Sequence, residues 1–313
     1  MRNINLVNRN IVSDYKILEE IMTGGSDRRF YRIKKGKETY ILIEDKNIKD
    51  YVKILDHLFQ AGIGVPALIE FKDNYAIVED LGKDSLYNLV CKRRSDWIEL
   101  YKRAIAELVK LQIDGYKNVP VNLYYNSEHI KWEQDYFKKF FLKQYCEISN
   151  KKIYEIGPDL KLLHKKVCEA IKPIGNFLMH RDFQSQNIFV KNGKIRIVDF
   201  QSARIGPLTY DLVSLLRDAY VDIDKNNEEL LVAYYLSYLK RKGIKVSKQD
   251  FYEAYRLTRI QRHMQALGAF ANLSLNKNKI HFKKFIPRAL DLLSIELLES
   301  GFSKIYNLVS SIK

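Results

Sequence analysis

Three side chains with oxygen donors, Asp182, Asn187 and Asp199, bracket one short pattern: HRDFQSQN runs into it and DFQS follows it. Between them, NIFVKNGKIRIVDF reads as two apolar strands joined at Lys191-Asn192-Gly193-Lys194, where Asn-Gly supplies the positive φ angles of a two-residue turn. An antiparallel hairpin returns to its origin, so Asn187 and Asp199 are expected side by side, with Asp182 nearby on the loop. Two such oxygen ligands suit Mg2+, which takes one or two carboxylates or amides together with the phosphates of a nucleotide. Asp182, left without a metal duty, can accept a proton from an attacking hydroxyl. The spacing predicts a phosphoryl-transfer site.

The elements that must hold these groups divide into two kinds. Residues 15 to 45 alternate as short strands do, in YKILEEI, RRFYRIKK and ETYILIED, separated by Gly24-Gly25-Ser26 and Lys35-Gly36-Lys37. A helix follows, with Ile48, Tyr51, Val52, Leu55, Leu58 and Phe59 at helical spacing, closed by Gly62 and Gly64 before Pro66. Two more strands, ALIEFKD and YAIVEDLG, meet at Asp73-Asn74. Beyond Gly82 helical patterns dominate, interrupted near Pro120 and near Gly157-Pro158, and strands return only around residues 188 to 200. The boundary predicts a sheet lobe over residues 1–82 and a larger, mostly helical lobe over 83–313, an α+β architecture.

The 313 residues suffice for two packed lobes with a substantial core, and 46% hydrophobic with 29% charged residues is a globular balance. Cys91, Cys146 and Cys168 stand far apart without a CxxC pair, which argues against a disulfide framework or zinc site and for a reducing, cytoplasmic setting. The opening MRNINLVNRN lacks the apolar core of a signal peptide, and no run of about 18 uncharged apolar residues could span a bilayer. The net charge of +15 suggests an anionic ligand, yet the lysines are scattered through every segment, so no specific nucleic-acid contact is expected.

H-R-D-x-x-x-x-N followed by Asp199-Phe200-Gln201 resembles the eukaryotic-type kinase superfamily, whose fold has an N-terminal antiparallel sheet lobe and a larger helical C-terminal lobe. Only seven residues lie between Asp199 and Pro207, and Tyr210-Asp211 opens the next helix at once. That leaves no room for the activation segment of a protein kinase, so a small-molecule acceptor is expected. HRDFQSQN, the Gly206-Pro207 pair and Tyr210-Asp211-Leu212 resemble the aminoglycoside phosphotransferase and choline kinase group. TGGSDRRFYRI, VEDLG, LTYDLVSLLRDAY, RIQRHMQALGAFANL and FIPRALDLL sharpen the resemblance toward the anomeric N-acetylmuramate/N-acetylglucosamine kinases of cell-wall recycling, from about residue 15 to about residue 295.

The resemblance implies ATP and Mg2+ as cofactors, an amino sugar as small-molecule partner, and a monomer or weak dimer. It places Gly24, Gly25 and Ser26 in the turn that covers the nucleotide phosphates, and Glu79 to Leu81 at the hinge along the adenine edge. One departure stands out: the superfamily's third-strand Lys and its helix Glu are both missing, with Leu42 and Ile43 in YILIED and no Glu in NIKDYVKILDHLFQA. Losing both avoids a buried unpaired charge. Arg28 or Arg29 is expected to neutralise the phosphates instead.

For the acceptor, Arg217, Asp218 and Tyr220 close the helix after the metal loop, and Arg259, Arg262 and His263 recur at helical spacing. Arg217, Asp218, Arg262 and His263 are the expected substrate contacts, because a sugar acid brings a carboxylate that Arg grips with two parallel hydrogen bonds. Asp211 is expected to cap its helix and brace the catalytic loop, with His180 and Arg181 as supports. Another small alcohol as acceptor, and a non-catalytic kinase-like binding module, remain as alternatives that acceptor-dependent ATP consumption separates.

Overall fold

The computed structural model describes residues 14–21, 28–92 and 95–312. Gly24, Gly25 and Ser26 lie outside the described residues. Strands β1 (Lys16–Ile21), β2 (Arg29–Lys35) and β3 (Glu38–Glu44) form a meander, and helix α1 (Ile48–Gln60) carries the chain to β4 (Leu68–Lys72) and β5 (Tyr75–Glu79). The sheet order is β1-β2-β3-β5-β4, antiparallel throughout. Period-two alternation sorts its side chains: Tyr31, Ile33, Leu42, Tyr75 and Ile77 cluster on one face, while Ile43, Ala76 and Val78 join α1 on the other. Ile48, Tyr51, Ile54, Leu55 and Leu58 are the buried stripe of α1, whereas Phe59 faces solvent.

Helices α2 (Leu86–Cys91), α3 (Trp97–Ile113) and α4 (Ser127–Tyr136) follow, and α4 runs on into a π-helical stretch over Phe137–Tyr145. Then come α5 (Asn150–Glu155) and α6 (Gly157–Ile171), so Gly157-Pro158 starts a helix, where proline's missing N–H costs nothing. A three-residue strand, β6 (Phe177–Met179), leads into the catalytic loop and pairs with β9 (Arg204–Gly206), both too short to show alternation in sequence. Between them β7 (Ile188–Lys191) and β8 (Lys194–Ile197) form the expected hairpin, with Asn192 at φ 50° and Gly193 at φ 70°. The chain ends in α7 (Leu208–Leu216), α8 (Lys225–Arg241), α9 (Lys248–Asn276), α10 (Ile286–Glu299) and α11 (Ser303–Ser310). The fold is the two-lobed, protein-kinase-like one.

Two cores hold it. One is continuous from the sheet into the helices, joining Ile43, Leu55 and Val78 to Leu108, Ile197 and Leu212; the other surrounds α9. Where the lobes meet, the Gly64 carbonyl accepts from the Ile197 N–H at 2.6 Å and its N–H donates to Glu107. A Cβ on Gly64 would stand 2.2 Å from the Ile195 carbonyl oxygen, a backbone atom that cannot swing aside. Gly64→Ala is therefore expected to cost about 1–3 kcal/mol of stability, read as a lower midpoint in urea, whereas Gly36→Ala meets open space and only turn strain.

Candidate active site

The chain leaves β6 at Met179 and turns at Arg181, whose φ is +77°. That conformation is held from α7. Asp211 accepts the His180 N–H at 2.7 Å and the Arg181 N–H at 2.8 Å. Seven residues on, Asp218 accepts the Ser185 N–H at 2.9 Å and hydroxyl at 2.6 Å, and the Tyr220 N–H at 2.8 Å. Two carboxylates thus pin the two ends of the catalytic loop. Burial pushes Asp211 up to about 7 and Asp218 to about 6, with the donated hydrogen bonds opposing it. Asp211 braces the loop as expected but caps nothing; Pro207 occupies the cap position of α7 without a side-chain bond. Buried His180 donates through Nε2 to the Val198 carbonyl at 3.1 Å, and burial drives its pKa down to about 4, so it is a neutral strut.

The hairpin brings the predicted triad together. The Val198 N–H donates to the Asn187 carbonyl at 3.0 Å, which sets Asn187 beside the residue preceding Asp199. Asn187 spends its amide nitrogen on the Asp182 carbonyl at 2.9 Å, leaving its side-chain oxygen as an acceptor. Asp182 receives the Ser202 hydroxyl at 3.2 Å on Oδ2. Asp199 takes φ +69°, and the Gln201 amide donates to its Oδ1. Burial first, and then the Asp182 charge, hold the Asp199 carboxyl above its usual range. A half-buried carboxylate near a second one, beside an amide oxygen, is a donor set that fits Mg2+.

From the sheet side, Arg28 is paired with Asp45 and lies 5.7 Å over the Tyr51 ring. Tyr51 stacks on Phe200 of the metal loop, 5.1 Å between centroids and 17° between planes, and the Arg28 charge reaches Asp199. Arg29 is exposed and turned to Tyr31 and Glu44, away from the site, because adjacent residues entering a strand point to opposite faces. Of the two residues at the missing lysine, only Ile43 faces α1; Leu42 packs on the far side. At the hinge, Glu79 pairs with Lys191 at 3.0 Å, Lys191 also donates to the Asp80 carbonyl, and Leu81 is buried.

The four expected acceptor contacts are dispersed. Arg217 is clamped between Glu228 at 3.0 Å and Glu296 at 3.2 Å. Both ring nitrogens of His263 face oxygens, Glu296 at 2.7 Å and the Arg217 carbonyl at 2.9 Å, and Arg259 joins the same cluster. This is a buried charge network between α8, α9 and α10, closed by two glutamates that helical spacing around Arg259 could not announce. Asp218 serves the loop. Arg262 alone lies against the site, bonded to Ser214, Gln265 and, at 3.4 Å, to Gln184 of the catalytic loop.

The charge of Asp182 also reaches two other arginines, Arg181 and Arg204. Arg181 lies 5.7 Å over Trp132, which also meets the stacked His129 ring and the Tyr136 ring. Arg204 faces Met179 across β6 and β9. The Nε atoms of both are buried without a hydrogen-bond partner among the described residues. SARIGP contains Arg204, but nothing in its spacing marks that residue.

The profile of the phosphotransferase enzyme family matches residues 18–244. The N-acetylmuramate/N-acetylglucosamine kinase of Neisseria meningitidis serogroup B is 26% identical over 285 residues, 85% of this chain and 81% of that one. The enzyme of the same name from Pseudomonas aeruginosa is 23% identical, over 86% of this chain and 81% of that one. Among solved structures, Plasmodium vivax ethanolamine kinase superposes with a TM-score of 0.65 at 15% identity, covering 94% of this chain and 86% of that one. The choline kinase of Streptococcus pneumoniae gives 0.63 at 14% identity, covering 91% and 96%. These structural likenesses establish the fold. With the family match spanning most of the chain and the loop geometry above, the chain belongs to the phosphotransferase enzyme family and is a small-molecule kinase acting on a hydroxyl acceptor.

Proposed function

We propose that this protein transfers the γ-phosphoryl group of ATP, with Mg2+, to the anomeric C1 hydroxyl of N-acetylmuramate, N-acetylglucosamine or both, in peptidoglycan recycling in the cytoplasm. The observation that carries the transfer reading is the convergence of Asp182, Asn187 and Asp199 at the foot of the hairpin, fixed by the Val198 to Asn187 hydrogen bond. The choice of acceptor is supported by relatives of that name, aligned over about four fifths of their own length.

In this reading Asp182 orients the acceptor hydroxyl and takes its proton as the oxygen attacks phosphorus and the bridging bond to ADP breaks. A hemiacetal hydroxyl is more acidic than an ordinary alcohol, so orientation matters more than basicity. Asn187 and Asp199 would hold the Mg2+, which when bound offsets charge on the nucleotide phosphates. The hinge near Glu79 and Leu81 faces the adenine edge.

Arg28 takes the place of the missing lysine, held by Asp45 and Tyr51. Arg28→Met is expected to raise the KM for ATP roughly tenfold or more, the effect of losing one charge-assisted contact. Exposed Arg29→Met should leave it unchanged, and equal effects would contradict the assignment. The activity itself is tested by coupled ADP release with N-acetylmuramate, N-acetylglucosamine, kanamycin and choline as acceptors. Turnover only with kanamycin or choline would move the substrate, and silence with all four would return the non-catalytic module to favour.

A further inference from the structure

We infer that Arg181 and Arg204 form an anion site beside the catalytic base, which grips the lactyl carboxylate that distinguishes N-acetylmuramate from N-acetylglucosamine. The inference rests on the proposed sugar acceptor and refines it.

The geometry is local to the base. Asp182 follows Arg181 directly, and its Oδ2 accepts from Ser202, two residues before Arg204. The Met179–Arg204 register of β6 and β9 then sets Arg204 alongside the entry to the same loop. Neither guanidinium makes an ion pair or side-chain hydrogen bond among the described residues, and the Nε of each is buried and unsatisfied. A buried donor without a partner is costly, and the planar guanidinium fork matches a carboxylate with two parallel bonds. Nearby carboxylates are already engaged. Glu133 receives the Tyr125 and Tyr210 hydroxyls and the Gln261 amide, and Asp211 receives two backbone N–H groups. Trp132 covers one face of Arg181. Arg217 and His263, by contrast, are saturated by Glu228, Glu296 and a carbonyl. An anionic oxygen could come from the sugar acid or from the nucleotide. Arg28 approaches the metal loop from the sheet, on the nucleotide's side, while Arg204 belongs to the helical lobe, which favours the acceptor.

The test compares wild type, Arg204→Gln and Arg204→Lys with both sugars and with ATP. The KM for N-acetylmuramate is expected to rise roughly tenfold to a hundredfold in Arg204→Gln, the loss of hydrogen bonds to a charged group. The constants for N-acetylglucosamine and ATP should hardly change, and Arg204→Lys should recover part of the loss, having charge but no fork. Equal loss for both sugars, or a raised KM for ATP, would overturn the inference. If wild type phosphorylated neither sugar, the proposed activity would fall, and calorimetry would decide this point separately. Binding of N-acetylmuramate weakened by Arg204→Gln supports the site; unweakened or absent binding refutes it. Should Arg204→Gln fail to fold, Arg204→Lys gives the same reading with a smaller shift.

Discussion

Asp182→Asn is expected to lower kcat by about 10²- to 10⁴-fold, the range for removing a positioned general base, while ATP binds nearly as before. The asymmetry follows from the loop. Asp182 contributes its backbone carbonyl to Asn187 and Gln184, and the substitution preserves both bonds. Only the side chain changes, and its one hydrogen bond among the described residues comes from the Ser202 hydroxyl. Asn187 and Asp199, the proposed Mg2+ ligands, stay where the hairpin sets them. Asp199 in fact loses the neighbouring charge that helps hold its carboxyl up. Stopped-flow or steady-state turnover, paired with a fluorescent nucleotide titration, separates the two quantities. Nucleotide affinity falling in step with kcat would instead make Asp182 a metal or phosphate contact.

Glu296→Gln is expected to cost about 3–5 kcal/mol of folding stability, because it removes the fully buried counter-charge that two part-buried arginines share. Glu296 is fully buried and faces Arg217, Arg259 and His263 at once. Those three side chains come from two elements, so no single rotation relieves them, and Glu228 is already shared by Arg217 and Arg259. For a chain of this size the loss should lower the thermal midpoint on the order of 5–8 °C. Glu299 supplies the contrast. It pairs with Arg259 at 2.8 Å but is half exposed, so Glu299→Gln should shift stability by less than about 1 kcal/mol. Scanning calorimetry of both variants checks the ordering, and similar shifts would show that burial does not govern this cluster. His263 also meets the Arg217 carbonyl, next to Asp218 and so to Ser185, which ties the cluster to the catalytic loop by three bonded steps.

What was legible in the sequence was local. The Asn-Gly turn, the alternation of the meander and the Asp182-to-Asn187 spacing each depend on neighbours within a dozen residues, and the structure has each of them. Strand parity allowed only one of Arg28 and Arg29 to reach the phosphates, but parity alone does not say which face looks into the cleft. Helical spacing put Arg259 and His263 on a common face, and that face meets Glu296 in α10. The bracing roles of Asp211 and Asp218 depend on α7 packing under the loop, a tertiary contact across about thirty positions. Arg204 was invisible for the same reason: β9 is three residues long and acquires meaning only by pairing with β6.

The measurement that tests the central claim most directly is phosphorus and proton NMR of the product formed from Mg-ATP and each amino sugar. A sugar 1-phosphate, marked by phosphorus coupling to the anomeric proton and abolished by Asp182→Asn, is the predicted result. Phosphate on another hydroxyl, or a sugar phosphate that survives Asp182→Asn, would contradict it.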